Sequence, residues 1–98
     1  MTILTDVLRR EGYNSADDLV RDWSLMVALT KVDQYQAECD FFQHKYQMVL
    51  EEFERQIHAE QGVEDFTQEE DLEDWEFAVQ ALKWWQAKVR GLRAAANV

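Results

Sequence analysis

From Leu25 to Phe53 the apolar residues recur at alternating steps of three and four: Leu25, Ala28, Val32, Tyr35, Cys39, Phe42, Tyr46, Val49 and Phe53. Nine consecutive positions on that spacing draw one stripe along a helix of coiled-coil period, because strand side chains would alternate every second residue. A second stripe of the same kind runs through Trp75, Ala78, Leu82, Trp85, Val89 and Leu92. A chain whose longest segments each bury one such stripe folds by packing helices. The absence of Pro and the presence of only three Gly, at 12, 62 and 91, agree, since an all-β domain needs turn residues at short intervals.

Local signals punctuate the stripes. Ile3, Leu4, Val7 and Leu8 share one helical face, and Gly12 suits the left-handed residue that ends a helix. In "NSADDL", Ser15 is placed as an N-cap with Asp18 three residues on. In "TQEE", Thr67 and Glu70 form a capping box. These signals predict helices over about 3–11, 16–59 and 68–94 in one domain spanning 1–98, with Gly62 ending the second and an earlier interruption near Gln47 to Val49 as the alternative.

The fold expected is all-α: a short N-terminal helix, a long second helix, and a third folding back on it as a helical hairpin. On the third helix Phe77, Ala81 and Trp84 lie about 100° round from the stripe, widening the apolar arc to about half the circumference. Phe77 and Trp84 then either contact a second helix or form a partner site. Two helices of this kind cannot cover each other fully, so homodimerisation into a bundle is expected. The dimer seam would be Val32, Tyr35, Cys39, Phe42, Tyr46 and Val49. Its flank reads Lys31, Glu38, Lys45 and Glu52, strictly alternating in sign. An antiparallel pair centred near Asp40 and Phe41 would set Lys31 by Glu52 and Glu38 by Lys45 of the other copy. The alternative is that this seam packs only on the third helix of its own chain.

Charge narrows function. Twenty acidic against ten basic residues give a net −10. That disfavours direct binding of nucleic acid, whose phosphates are engaged by Lys and Arg, and favours a basic protein partner. Cys39 is alone, so there is neither an internal disulfide nor a multi-cysteine metal site. The longest apolar run, "LMVALT", is far too short to cross a bilayer, and no targeting segment opens the chain, so a cytoplasmic protein is expected.

The acids concentrate late: between Glu51 and Glu76 twelve Asp or Glu stand against Arg55 alone. Carboxylates in a first helical turn stabilise its unpaired N–H groups by about 0.3–1 kcal/mol each, which accounts for Glu69, Glu70 and Asp71 but not the surplus. Glu51 with Glu54, and Glu70 with Glu73, stand one turn apart as in all-α magnesium-dependent nucleotide pyrophosphohydrolases, so a metal site there is the enzymatic alternative. Against it, the second pair lacks the Asp such enzymes carry, and no Lys or Arg cluster awaits phosphates. A di-iron bundle needs Glu-x-x-His on two helices, whereas Phe41 precedes His44 and Arg55 precedes His58 at that offset. No Ser or Cys has a His in its own local segment to activate it. No catalytic residue and no cofactor follows from these patterns. A mixed patch of Asp71, Glu73, Asp74, Glu76, Phe77 and Trp84 is the expected partner site, with carboxylates speeding encounter and aromatics slowing release.

The segments "GYNSADDLVRDW", "ECDFFQHKYQMVLEEFE" and "EEDLEDWEFAVQALKWW" resemble a family of small acidic all-helical prokaryotic proteins described as antitoxin-like and encoded beside a putative toxin. The likeness spans Gly12 to about Leu92. The family usually writes Gly-Met followed by Ser or Thr where this chain has Gln47, Met48 and Val49, which removes a break and a cap from the second helix. The resemblance implies a protein partner, a cognate toxin, rather than catalysis. Neutralising an RNA-cutting enzyme suits negative charge, because that enzyme's RNA channel is basic. A dimeric structural or adaptor protein is the remaining alternative.

Overall fold

In a computed structural model of the chain, residues 2–59 and 65–96 are described, and all the regular structure among them is helical. The helices are α1 (Thr2–Arg10), α2 (Ala16–Tyr46), α3 (Leu50–Ala59) and α4 (Phe66–Ala96). The proposed stop at Gly62 lies outside the described residues.

Two of the predicted boundaries are formed as read. Gly12 takes a φ of 87°, its N–H reaching the Arg9 carbonyl at 3.1 Å while the Tyr13 N–H reaches that of Leu8 at 2.8 Å. This nested pair of bonds closes a helix whose next residue must be left-handed. Ser15 is extended, and its hydroxyl accepts from the Asp18 N–H at 3.2 Å, capping α2. The Asp18 carboxylate turns instead to Arg21, 3.3 Å away.

Two boundaries differ. The cap of α4 is Asp65, whose carboxylate accepts from the Gln68 N–H at 3.2 Å. The capping signature is therefore Asp65 to Gln68, and Thr67 already lies inside the helix. The helix expected over 16–59 is two helices, divided at the alternative position near Gln47 to Val49. Gln47 adopts a left-handed conformation, φ 54° and ψ 38°, and its side-chain amide donates to the His44 carbonyl at 2.7 Å.

The reason for that break is tertiary. Tyr46 and Phe42 meet Asp71 and Trp75, so α4 runs antiparallel to α2 and begins only five residues before Asp71. A straight α2 would carry Phe53 and Ile57 beyond the start of α4 and leave them in water. Turning at Gln47 swings α3 back across α4. Phe53 becomes the most deeply buried large side chain, 1% exposed, with its ring 4.1 Å from Tyr46 and 5.5 Å from Trp75. Burying a ring of this size contributes about 2–3 kcal/mol, more than the about 1–2 kcal/mol that a left-handed non-glycine residue costs.

The core is one-sided. Phe42, Phe53, Leu72 and Trp75 form its aromatic end, where Phe42 stacks on Trp75 at 5.8 Å. Farther along the α2–α4 contact the fully buried side chains are Ala28 and Ala78, small enough for the helix backbones to approach closely. The result is a thin, long molecule of 66 × 26 × 18 Å with a radius of gyration of 20.1 Å, against about 13 Å for a compact domain of this length.

Candidate interaction surface

The predicted dimer seam is occupied within the chain. Cys39 and Phe42 are buried, Tyr46 stacks near Trp75 at 6.3 Å, and Tyr35 meets the edge of Phe77 at 6.0 Å. Val32 shares this half-buried stripe, and Val49 is left exposed beside the Gln47 turn. The seam packs against α4, which presents the matching period.

The flanking charges follow suit. The Lys45 ammonium lies 2.6 Å from the Asp71 carboxylate, so it is not free to meet Glu38 of another copy. Asp71 also accepts from the Tyr46 hydroxyl and keeps only 15% of its side chain exposed. Partial burial pushes the Asp71 carboxyl up, but the hydrogen bonds from Lys45 and Tyr46 and the lysine's charge outweigh it and hold the group below its ordinary pKa. Burial, followed by the bond to Asp71 and its charge, pushes the Tyr46 phenol well above the usual value. Asp71 is thus a structural clamp between α2 and α4 rather than part of a partner site. Glu52 lies in the first turn of α3, beyond the break, and no longer continues the alternation along α2.

A different stripe of α2 faces outward with the same period: Val20, Trp23, Val27, Thr30, Gln34, Ala37 and Phe41. Its steps again alternate three and four. Val20, Trp23, Val27 and Phe41 are 61, 65, 48 and 59% exposed, far more than isolated large apolar residues require. On α4 the corresponding stripe is Asp74, Phe77, Ala81, Trp84 and Lys88. Both stripes lie on one side of the α2–α4 layer: Val20, Trp23 and Val27 line a groove with Trp85 and Lys88, and Ala37 and Phe41 line another with Asp74 and Phe77. The Lys88 ammonium sits 4.6 Å from the Trp84 ring centre, and Trp84 meets Trp85 edge-on.

The expected mixed patch is therefore divided. Asp74, Phe77 and Trp84 belong to this aromatic face. Asp74 and Glu76, two residues apart on a helix, point about 160° away from each other. Glu76 joins Glu73 and Glu69, one turn apart, in an exposed acidic stripe about 90° round α4 from the aromatic stripe, with Glu73 bordering it one turn from Phe77. Among the described residues, none of these three is held in an ion pair.

Among the described residues no three His, Cys, Asp or Glu side chains are disposed to hold a metal ion, so Glu51, Glu54, Glu70 and Glu73 do not converge on one site. Glu51 and Glu54 lie on α3, and Glu70 and Glu73 on the first turns of α4. Cys39 is a free, buried thiol, raised in pKa by burial and then by the neighbouring Asp40 and Glu38. No described helix is long and apolar enough to cross a membrane. The aromatic face was legible in part, through Phe77 and Trp84; its α2 half was missed because Trp23, Val27 and Phe41 fall between the positions of the stronger buried seam.

Comparison with protein-family models, with curated proteins and with solved structures finds no match to this chain.

Proposed function

We propose that this chain is a non-catalytic protein–protein interaction module: an antitoxin-like protein that neutralises a basic partner such as an RNA-cutting toxin, and that works as a helical hairpin completed by a second copy into a bundle. The observation that carries the reading is that the α2–α4 layer exposes an aromatic face and, beside it on α4, a separate acidic stripe. One side exposes aromatic and aliphatic residues, Trp23, Val27, Phe41 and Phe77 among them, while Glu69, Glu73 and Glu76 make an acidic stripe on α4 with no ion pair among the described residues. An acidic stripe on a chain of net charge −10 draws a basic surface from a distance. Proteins that work alone rarely leave so much aromatic surface in water.

The test is association kinetics with the product of the adjacent gene. Replacing Glu69, Glu73 and Glu76 by Gln should slow association and flatten its dependence on salt while the helical content stays unchanged. Association at the same rate in low and high salt, before any substitution, would refute the electrostatic reading. A stable dimer that engages no basic protein would leave the structural or adaptor role in its place.

A further inference from the structure

We propose that the aromatic face is where a second copy of this chain docks, with α2 laid antiparallel across α2 of the partner subunit and α4 across its α4, about a two-fold axis level with Gln34 and Ala81. The proposal rests on the self-association in the reading above and replaces the buried seam as its interface.

The surface calls for a cover of this size. The chain exposes 7664 Å², whereas a compact monomer of 11.6 kDa exposes about 5,800 Å². The excess, about 1,800 Å², exceeds the roughly 800 Å² that each partner contributes to an ordinary interface.

Charge says what the cover is. A second copy brings a like net charge of −10, so it can approach only through a face that is itself near neutral. This face is nearly such a place: Glu38 and Asp74 are balanced by Lys31 and Lys88, which leaves Glu70, where the α4 stripe begins, as its one surplus acid. The clamped pair of Lys45 and Asp71 adds nothing to the balance.

The positions of those charges then choose the arrangement. Val27 and Phe41 each stand seven residues from Gln34, and Lys31 and Glu38 stand three before and four after it. Lys88 and Asp74 each stand seven residues from Ala81, which Phe77 and Trp84 flank at four and three. The antiparallel register of Tyr46 on Asp71, Phe42 on Trp75 and Tyr35 on Phe77 brings Gln34 level with positions 78 to 83, so both centres lie at one height. One two-fold axis across the helices therefore sets Val27 on Phe41 of the partner subunit, Phe77 by Trp84, Lys31 by Glu38 and Lys88 by Asp74, each contact occurring twice. A parallel pairing would place Lys31 on Lys31 and Glu38 on Glu38. Ala37 and Ala81 supply the small side chains that a close crossing near the axis needs.

The experiment uses the full chain in sedimentation equilibrium and in oxidative crosslinking. Lys31→Glu and Glu38→Lys should each raise the dimer dissociation constant about tenfold or more, since each reversal turns two attractive contacts repulsive, and the double reversal should restore it to within about threefold. In a Cys39→Ala background, Gln34→Cys should form an intermolecular disulfide under mild oxidation, and Gln36→Cys, at nearly the same height but pointing about 160° away on α2, should not. A dimer unaffected by the single reversals and not crosslinked through position 34 would overturn this interface while leaving self-association intact. A wild-type monomer at about 100 μM would overturn both. Unchanged circular dichroism of the charge variants keeps a folding defect from imitating either result.

Discussion

Replacing Gln47 by Gly tests the break between α2 and α3 through one stability change. At φ 54° the Cβ of an L-residue crowds the backbone, which costs about 1–2 kcal/mol and is absent in glycine. Two terms oppose the gain: glycine frees the unfolded chain by about 0.5–1 kcal/mol, and the exposed bond from the Gln47 amide to the His44 carbonyl, worth about 0.5 kcal/mol, is lost. The net expectation runs from about −0.5 to about +1 kcal/mol of stabilisation, its upper end a rise of about 4–8 °C in the melting temperature of a domain this size. If residues 16–59 formed one continuous helix, the same substitution would instead put Gly into a helix interior and lower stability by up to about 1 kcal/mol. Thermal melts followed by circular dichroism at fixed protein concentration decide between the two. Gln47→Val is the companion variant, because a β-branched residue is poorly accommodated in the left-handed region and should lower the melting temperature. A loss of about 1 kcal/mol for Gln47→Gly, a fall of about 4–8 °C, would refute the account of the break.

Phe53→Ala should cost about 3–5 kcal/mol by emptying the space between Tyr46 and Trp75, and protease cleavage within α3 should rise with it. Asp71→Ala should cost about 2 kcal/mol in urea unfolding, chiefly from the Tyr46 hydroxyl, since Lys45 is 40% exposed and water screens its share. The folded pKa of Asp71 is depressed, so its contribution is complete above the ordinary carboxylate value of about 4 and is lost as pH falls through the folded value; Asp71→Asn should blunt that acid loss. Tyr46 has a raised folded pKa, so its contribution is present below the ordinary phenol value of about 10 and fades only as pH climbs towards the folded one. Ultraviolet titration should show Tyr46 ionising late, with Tyr13 also raised by its hydrogen bond to Asp22, and a wild-type titration in which no tyrosine ionises above the ordinary value of about 10 would contradict this. Cys39 should react slowly with a thiol reagent in the native protein and fast in urea.

The three–four periods at Leu25 to Phe53 and Trp75 to Leu92 determined helices and their inner faces, because each stripe is a local property of 3.6-residue geometry. Gly12 and Ser15 were equally legible, since a cap acts within four residues of itself. The cap of α4 was read two residues late only because two overlapping signatures, at Asp65 and at Thr67, compete for one helix start. Three things depended on where α4 begins relative to α2: that Phe53 must turn back, that Gln47 therefore becomes left-handed, and that Asp71 is spent clamping Lys45 and Tyr46 rather than facing a partner. A periodic stripe shows which side of a helix is buried but not which helix covers it, for α4 and a second copy offer the same period. Only the antiparallel pairing of α2 with α4 decided that, and in doing so left Trp23, Val27 and Phe41 on the outside.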